Sequence, residues 1–551
     1  MRSRVVKDYL KPTRIVAASE NIINAGALLV NNEEQIHFAE DNVMECFGKG
    51  YIILDFGKEL HGGVRILSHY LEGQKVDLDV RIRFGESVNE ACAELGEKNA
   101  KNDHSVRDMQ VIMPDMSDLE WGQTGFRFVR LDFLNEDKLF RIANIYAAYT
   151  HRGLEYKSEF KTDNSLLDKI YDTARYTVYL NMQEHLWEGI KRDRLVWIGD
   201  MQSQVPAITN IFGADWSIED ALEQSMEKNP LPGWMRIPVY SFCFIHIVCD
   251  YYLKTGDKRF LKKFLPYAQG VIEQMDTCVL EDGVIDFEQC PEAKVGRMPF
   301  FLDWPTSELP CRKAGVRYSA LFSSKEFLNL LTEIGEDTTI CQRLIDKLSR
   351  FKEDVTDMKK QVVAFGYLAG QIDKETAAKL LLEGGAKGLC TYHAYFILRA
   401  IAESVSVKAA VDILKEYYGG MLSRGATTFW EDFDVEWLKG SGRIDEITPI
   451  GLKDLHGDFG NYCYKGFRHS LCHGWSCGPV QFLTEYVMGI RVLEAGYRRV
   501  MVMPNLVDIN SLQAKVPTPY GPLTINAINV NGRTEVRVEG PQQVCITTKL
   551  E

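Results

Sequence analysis

The chain has 551 residues, a formal net charge of −13, and 45% hydrophobic and 26% charged residues. One core stops growing near ~250–300 residues, so two to four domains are expected, of ordinary globular composition. The acidic balance repels phosphate backbones, which excludes nucleic acid as a natural partner and reads best as a solubility charge. Thirteen cysteines, odd in number and irregular in spacing, argue against a disulfide framework. Cys243 and Cys249 sit in an apolar stretch, where a thiol acts as a small hydrophobe. Cys472 and Cys477 have no second pair to complete a zinc site, so no metal is expected.

The N-terminus, MRSRVVKDYLKPTRIV, is basic but has no apolar segment of a secretory signal. Up to about residue 156 the pattern is β-rich. YIILDFG (51–57), VRIRFGE (80–86) and GFRFVRLDFL (125–134) have strand lengths. In the last, Phe126, Phe128 and Leu131 alternate with Arg127 and Arg130, which predicts a sheet with one buried face. Helical spacing begins after Tyr156: Leu167, Ile170, Ala174, Val178 and Met182 share one face. Helices are predicted at 237–253, 261–275, 319–334, 340–351, 377–382, 392–402, 407–418 and 479–493, with room for about a dozen in all. The most apolar, 237–253, holds His246 and Asp250 and is too short and polar to span a bilayer. No fixed-period repeat is present, which disfavours a solenoid. RRVMVMPNL, GPLTINAINVN and TEVRVEG return to strand signals near the C-terminus.

Four segments can carry chemistry. WEGIKRDRLVWIGD (187–200) contains Glu188, Arg192, Asp193, Trp197 and Asp200. GATTFWEDFD (425–434) holds Trp430 and Glu431. LDWPTSE (302–308) holds Asp303 and Trp304, and HSLCHGWSCGP (469–479) holds His473 and Trp475. PGWMR adds Trp234. Paired carboxyls with tryptophan faces are what glycoside cleavage uses, since one acid protonates the leaving oxygen and one base activates water. Each segment taken alone is equally readable as a solvated loop. GxxxxGK[ST], GxGxxG, HExxH and GxSxG are all absent, so no nucleotide cofactor or serine nucleophile is indicated.

Together these segments resemble the bacterial α-L-rhamnosidases. RDRLVWIGD is similar to that family's acidic signature, GATTFWEDFD to the one in which the Glu after Trp is the general base, LDWPTSE to its Gly-Asp-Trp loop, and SLCHGWSCGP to its Asn-His-Tyr loop. ILDFGKELHGGVRI and GFRFVRL resemble the β-sandwich before its barrel, and GYRRVMVMPN with PTPYGPLTINA the one after it. The resemblance implies a multidomain chain: an N-terminal β-sandwich (1–156), an all-α (α/α)6 barrel (157–494) and a small C-terminal β-sandwich (495–551). It implies an inverting hydrolase of terminal α-L-rhamnosyl groups that needs no cofactor, with Glu431 as general base.

Arg192, Trp197, Asp200, Asp303, Trp304 and His473 would line the sugar pocket, with Glu188, Trp234, Trp430 and Trp475 beside them. Counted back from Trp197 without a gap, Asp193 stands where the family has its general-acid Glu. With one residue deleted, Glu188 and Asp193 match two sugar-binding Asp residues and the acid is missing. Gly189 and Ile190 also replace the family's Cys-Pro. Asp193 is preferred as the acid and Glu188 is its alternative. Two other readings stay open: a carbohydrate-binding homologue that has lost the acid, and a barrel hydrolase or lyase acting on a uronic acid. The expected partner is a rhamnose-containing glycoside in the cytoplasm, without membrane; a homodimer is left open.

Overall fold

The structure is a computed structural model and describes residues 4–30, 42–69, 77–354 and 357–548; the first three residues of the basic N-terminal segment lie outside this set. The N-terminal strands are β1 (Val6–Leu10), β2 (Arg14–Ala18), β3 (Ile22–Ile23), β4 (Met44–Phe47), β5 (Gly50–Ser68) and β6 (Asp77–Gly85). After helix α1 (Val88–Cys92) come β7 (Asp108–Pro114), β8 (Asp118–Phe133) and β9 (Leu139–His151). They form one nine-stranded sheet with the path β3-β4-β9-β5-β8-β6-β7, β1 pairing with β9 and β2 with β5.

Strand β8 sits between β5 and β6: Leu131 faces Ile52 on one side and Ile82 on the other. Phe126, Phe128 and Leu131 are fully buried, as the alternation predicts. The intervening arginines are not a solvent face. Arg127 is also buried, donating to both Asp55 oxygens at 2.8 and 2.9 Å, and half-buried Arg130 donates to Asp132. Charge pairing lets the second face be covered as well. At the end of β6, Ser87 caps α1 by accepting the Glu90 N–H, and the Glu90 carboxylate accepts the Glu86 N–H. This reciprocal capping fixes two glutamates that matter below.

The rest begins with β10 (Glu159–Thr162) and continues through α2 (Ser165–Asn181), α3 (Ile198–Phe212), α4 (Trp216–Lys228), α5 (Pro238–Thr255) and α6 (Lys258–Cys278). Next are α7 (Leu309–Ile334), α8 (Thr339–Arg350), α9 (Lys360–Leu368), α10 (Lys374–Leu382), α11 (Ala394–Ser404), α12 (Val407–Ser423) and α13 (Gly478–Phe482). Helices α3, α5, α7, α9, α11 and α13 pack each on the next, and α13 packs back on α3. They close a circuit of six. Helix α3 is buried at every residue, including Gln202 and Gln204. It therefore shows no polar stripe, and periodicity misses it.

The C-terminal strands are β11 (Ile490–Glu494), β12 (Arg499–Val502), β13 (Ser511–Thr518), β14 (Gly521–Val530), β15 (Arg533–Glu539) and β16 (Cys545–Thr547). β10 pairs with β13 in the sheet β10-β13-β14-β15, and β11, β12 and β16 form a second sheet. The helix expected over 479–493 is corrected here. After α13 a single wide turn covers Leu483–Val487 and the chain becomes strand β11. Gly489 causes the break: its φ is +70°, and a Cβ there would stand 1.9 Å from the Met503 carbonyl oxygen.

The chain forms two compact units. Unit 1 takes the described residues of Met1–Gly153, Leu180–Leu195 and Gly420–His473. Unit 2 takes Leu154–Tyr179, Val196–Gly419 and Gly474–Glu551, again where described. No helix among the described residues is long and apolar enough to cross a membrane.

Candidate functional site

Unit 1 gathers Glu188, Arg192, Asp193, Trp430, Glu431 and His473. Glu431 is buried, and Arg192 Nη2 donates to its Oε1. Its Oε2 accepts the Ser470 N–H at 3.1 Å, and its own N–H donates to the Ser470 carbonyl at 2.9 Å. The next N–H, of Asp432, donates to His469 Nε2 at 2.9 Å. His473 Nδ1 lies 3.8 Å from Glu431 Oε1. Burial would raise the Glu431 pKa, but the Arg192 guanidinium and the two histidines more than offset it and hold it down to about 2. The sign follows from linkage. Stability from this depressed carboxylate is present above the unfolded value of about 4.3 and is lost as pH falls through the folded one. At neutral pH Glu431 is a carboxylate, ready to accept a proton.

The other arm of the same guanidinium, Nη1, is 3.4 Å from Asp193 Oδ2. Arg192 therefore bridges Asp193 and Glu431. Asp193 is partly exposed and its backbone is left-handed, with φ +56°. Glu188 is spent differently. Its two oxygens accept the Arg194 and Leu195 N–H groups at 2.9 and 2.7 Å, so it braces the loop that carries Asp193. Trp430 is buried edge-on to Phe433, 5.5 Å between ring centres.

Beneath the base lies a buried ionic cluster that sequence reasoning missed. Lys191, in a segment that is equally readable as a solvated loop, is buried. Its ammonium donates to Glu86 (3.1 Å) and the His469 carbonyl (2.7 Å), and lies 2.9 Å from Glu90. Glu86 in turn accepts the Leu471 N–H at 2.6 Å and the Ser470 hydroxyl at 3.2 Å. Burial raises the Glu86 pKa to about 7 despite the opposing pull of Lys191. Glu86, Glu90 and His456 have ligand atoms within 4.8 Å of one another, close enough for a metal ion. Lys191 already supplies a cation there, and a metal would have to displace it.

Unit 2 gathers Trp197, Asp200, Trp234, Asp303, Trp304 and Trp475. Trp197 stands at the N-cap position of α3, with the Arg236 guanidinium 4.5 Å over its ring and Tyr240 edge-on at 6.2 Å. Asp200 is buried in the first turn of α3, where the helix dipole favours a carboxylate. Tyr240 also meets Phe301, which meets Trp304. Asp303 is buried: Oδ1 accepts the Thr306 N–H at 2.9 Å and Oδ2 the Gln361 amide at 2.8 Å. His393 Nε2 stands 3.9 Å away, and burial lowers its pKa to about 4 in spite of Asp303. Tyr392 stacks on His393 at 4.1 Å and on Trp475 at 4.7 Å. Gly199 is where these rings converge, since a Cβ would lie 2.3 Å from Tyr240 and 2.7 Å from the Tyr392 hydroxyl. Five of the six residues thus share one end of the helix circuit, at the N-termini of α3, α5 and α11. Trp234 packs between Phe242 and Phe287 with its N–H on the Ala293 carbonyl. Tyr240, Tyr392 and His393 were not read from the sequence. All three fall within the predicted helices 237–253 and 392–402 and resemble core residues there.

Residues 155–304 match the bacterial α-L-rhamnosidase six-hairpin glycosidase domain, and residues 489–550 the bacterial α-L-rhamnosidase C-terminal domain. An α-L-rhamnosidase of Alteromonas sp. (strain LOR) is 21% identical over 90% of this chain and 55% of that protein. The chain thus spans about half the length of that curated relative. Among solved structures, a GH78 family rhamnosidase of Bacillus sp. GL1 superposes with a TM-score of 0.72 at 17% identity, over 95% of this chain and 55% of that one. A rhamnosidase from Klebsiella oxytoca, solved with rhamnose bound, gives 0.69 at 18% identity, over 88% of this chain and 96% of that one. These two segments are similar to the six-hairpin glycosidase domain and the C-terminal domain of the bacterial α-L-rhamnosidases.

Proposed function

We propose that the chain is an inverting glycoside hydrolase that removes terminal α-L-rhamnosyl groups. The closed circuit of six helices is read as the inner ring of an (α/α)6 barrel (157–494), between an N-terminal β-sandwich (1–156) and a C-terminal one (495–551). The observation that carries the mechanism is the Arg192 bridge. An inverting pair needs carboxyls ~6.5–9.5 Å apart, to leave room for water. Arg192 brings the two carboxyls to one site, Glu431 through Nη2 and Asp193 through Nη1. Glu431 takes the proton of an attacking water as its oxygen bonds to the anomeric carbon. The carbon–oxygen bond to the leaving group breaks, and Asp193 gives that oxygen its proton. Trp197, Asp200, Asp303, Trp304 and Trp475 are proposed sugar contacts, since stacked aromatic faces and a fixed carboxylate are the usual means of holding a sugar ring.

The bracing role of Glu188 favours Asp193 over it as the acid. Thirteen free thiols suit a reducing cytoplasm. A panel of 4-nitrophenyl glycosides tests the substrate class. Hydrolysis of the α-L-rhamnoside above all others is expected. Preference for a uronide would support the acidic-sugar alternative, and binding of rhamnose without hydrolysis of any member would support a binding protein.

A further inference from the structure

Asp193 is one methylene shorter than the glutamate it replaces, and something must hold its carboxyl as a proton donor. We propose that His104 is a positioning residue that presents Asp193 as the general acid; the inference rests on the acid assignment made above. His104 lies 89 residues upstream, in the loop before β7, and no sequence pattern marks it. Four groups form a line. Arg468 Nε donates to Asp103 Oδ2 at 2.9 Å, and Asp103 Oδ1 lies 2.9 Å from His104 Nε2. His104 Nδ1 lies 2.6 Å from Asp193 Oδ1. Arg192, which holds the base, donates through Nε to the carbonyl of that same Arg468 at 3.0 Å.

The hydrogen positions follow from the partners. Asp103, anchored by Arg468, accepts a proton and so selects the tautomer with hydrogen on Nε2. Nδ1 then presents a lone pair. The Asp193 backbone N–H donates to that lone pair at 2.9 Å. A carboxylate oxygen at 2.6 Å from the same lone pair would be repelled unless it carried a proton. With Asp193 as a carboxylic acid, its O–H and its backbone N–H share the one Nδ1 lone pair, and no bare carboxylate oxygen faces it. Arg194 Nη2 pins the His104 carbonyl at 2.6 Å, and the Asp193 Oδ2 side faces Arg192. For the transfer the Oδ1–H turns from Nδ1 to the glycosidic oxygen and gives up its proton there as the bond from that oxygen to the anomeric carbon breaks. Asp193 regains one from solvent, and Glu431 returns to solvent the one it took from water.

The test is the leaving group. An alkyl α-L-rhamnoside needs the proton, whereas a 2,4-dinitrophenyl one leaves without it. His104→Ala is expected to lower kcat by about 10–10²-fold on the alkyl substrate, with little change on the activated one. His104→Asn, whose amide oxygen can stand where Nδ1 stood, should restore part of that loss. Adding His104→Ala to Asp193→Asn should lower kcat no further, because the two act on one proton. Equal losses on both substrates, or none, would overturn the role of His104 while leaving the acid assignment intact. If Asp193→Asn shows no leaving-group dependence, the acid assignment falls and this inference falls with it. If His104→Ala shows it and Asp193→Asn does not, the imidazole itself is the acid, and the proposal is likewise overturned.

Discussion

Glu431→Gln is expected to lower kcat by about 10²–10⁴-fold while the protein still binds L-rhamnose. The substitution keeps the shape but turns one acceptor oxygen into an NH2 donor, which then faces Arg192. The Gln carbonyl can still accept the Ser470 N–H, so the loop should stay in place. What disappears is the buried oxygen pair held ionised beside Arg192. The loss should be the same for activated and unactivated leaving groups, because the base acts on water and not on the departing oxygen. Calorimetry with L-rhamnose and kcat measured on the same preparation check both halves. Near-normal turnover would show that the base lies elsewhere.

Asp193→Asn is expected to show the opposite dependence. Hydrolysis of an alkyl rhamnoside should fall by about 10²–10⁴-fold, and that of a dinitrophenyl rhamnoside far less. The Asn carbonyl can still accept from Arg192 Nη1 while its NH2 faces His104 Nδ1, so KM should change little. If Asp193→Asn changes only KM and Glu188→Gln shows the leaving-group pattern, the acid is Glu188. That outcome would require Glu188 to release the Arg194 and Leu195 N–H groups it now holds.

The parts legible in the sequence are those whose physics is local. Helices with one wet face, such as α6 and α8, announce themselves by period, and strands such as β8 by alternation. α3 does not, because burial all round removes the pattern. The end of α13 depends on the close approach of the Met503 carbonyl to Gly489, a contact formed by a segment fourteen residues on. At the site, Glu431 is legible because the tryptophan before it and the acids after it form an unusual run. Its supports are not. Lys191 looks like any lysine in a charged loop, and only the fold brings Glu86 and Glu90 to it. His104 is isolated among polar residues, and its meaning comes from Asp103 and Asp193. Paired charges read as solvated until the chain returns to bury them.

The central claim is single displacement by a base and an acid on opposite faces of the sugar. It is tested most directly by proton NMR of the first-formed sugar during hydrolysis of an aryl α-L-rhamnoside. The account predicts β-L-rhamnose first, followed by slow mutarotation. Release of α-L-rhamnose first would mean a covalent intermediate and a nucleophilic carboxylate, and would contradict the assignment of Glu431 as a base acting on water.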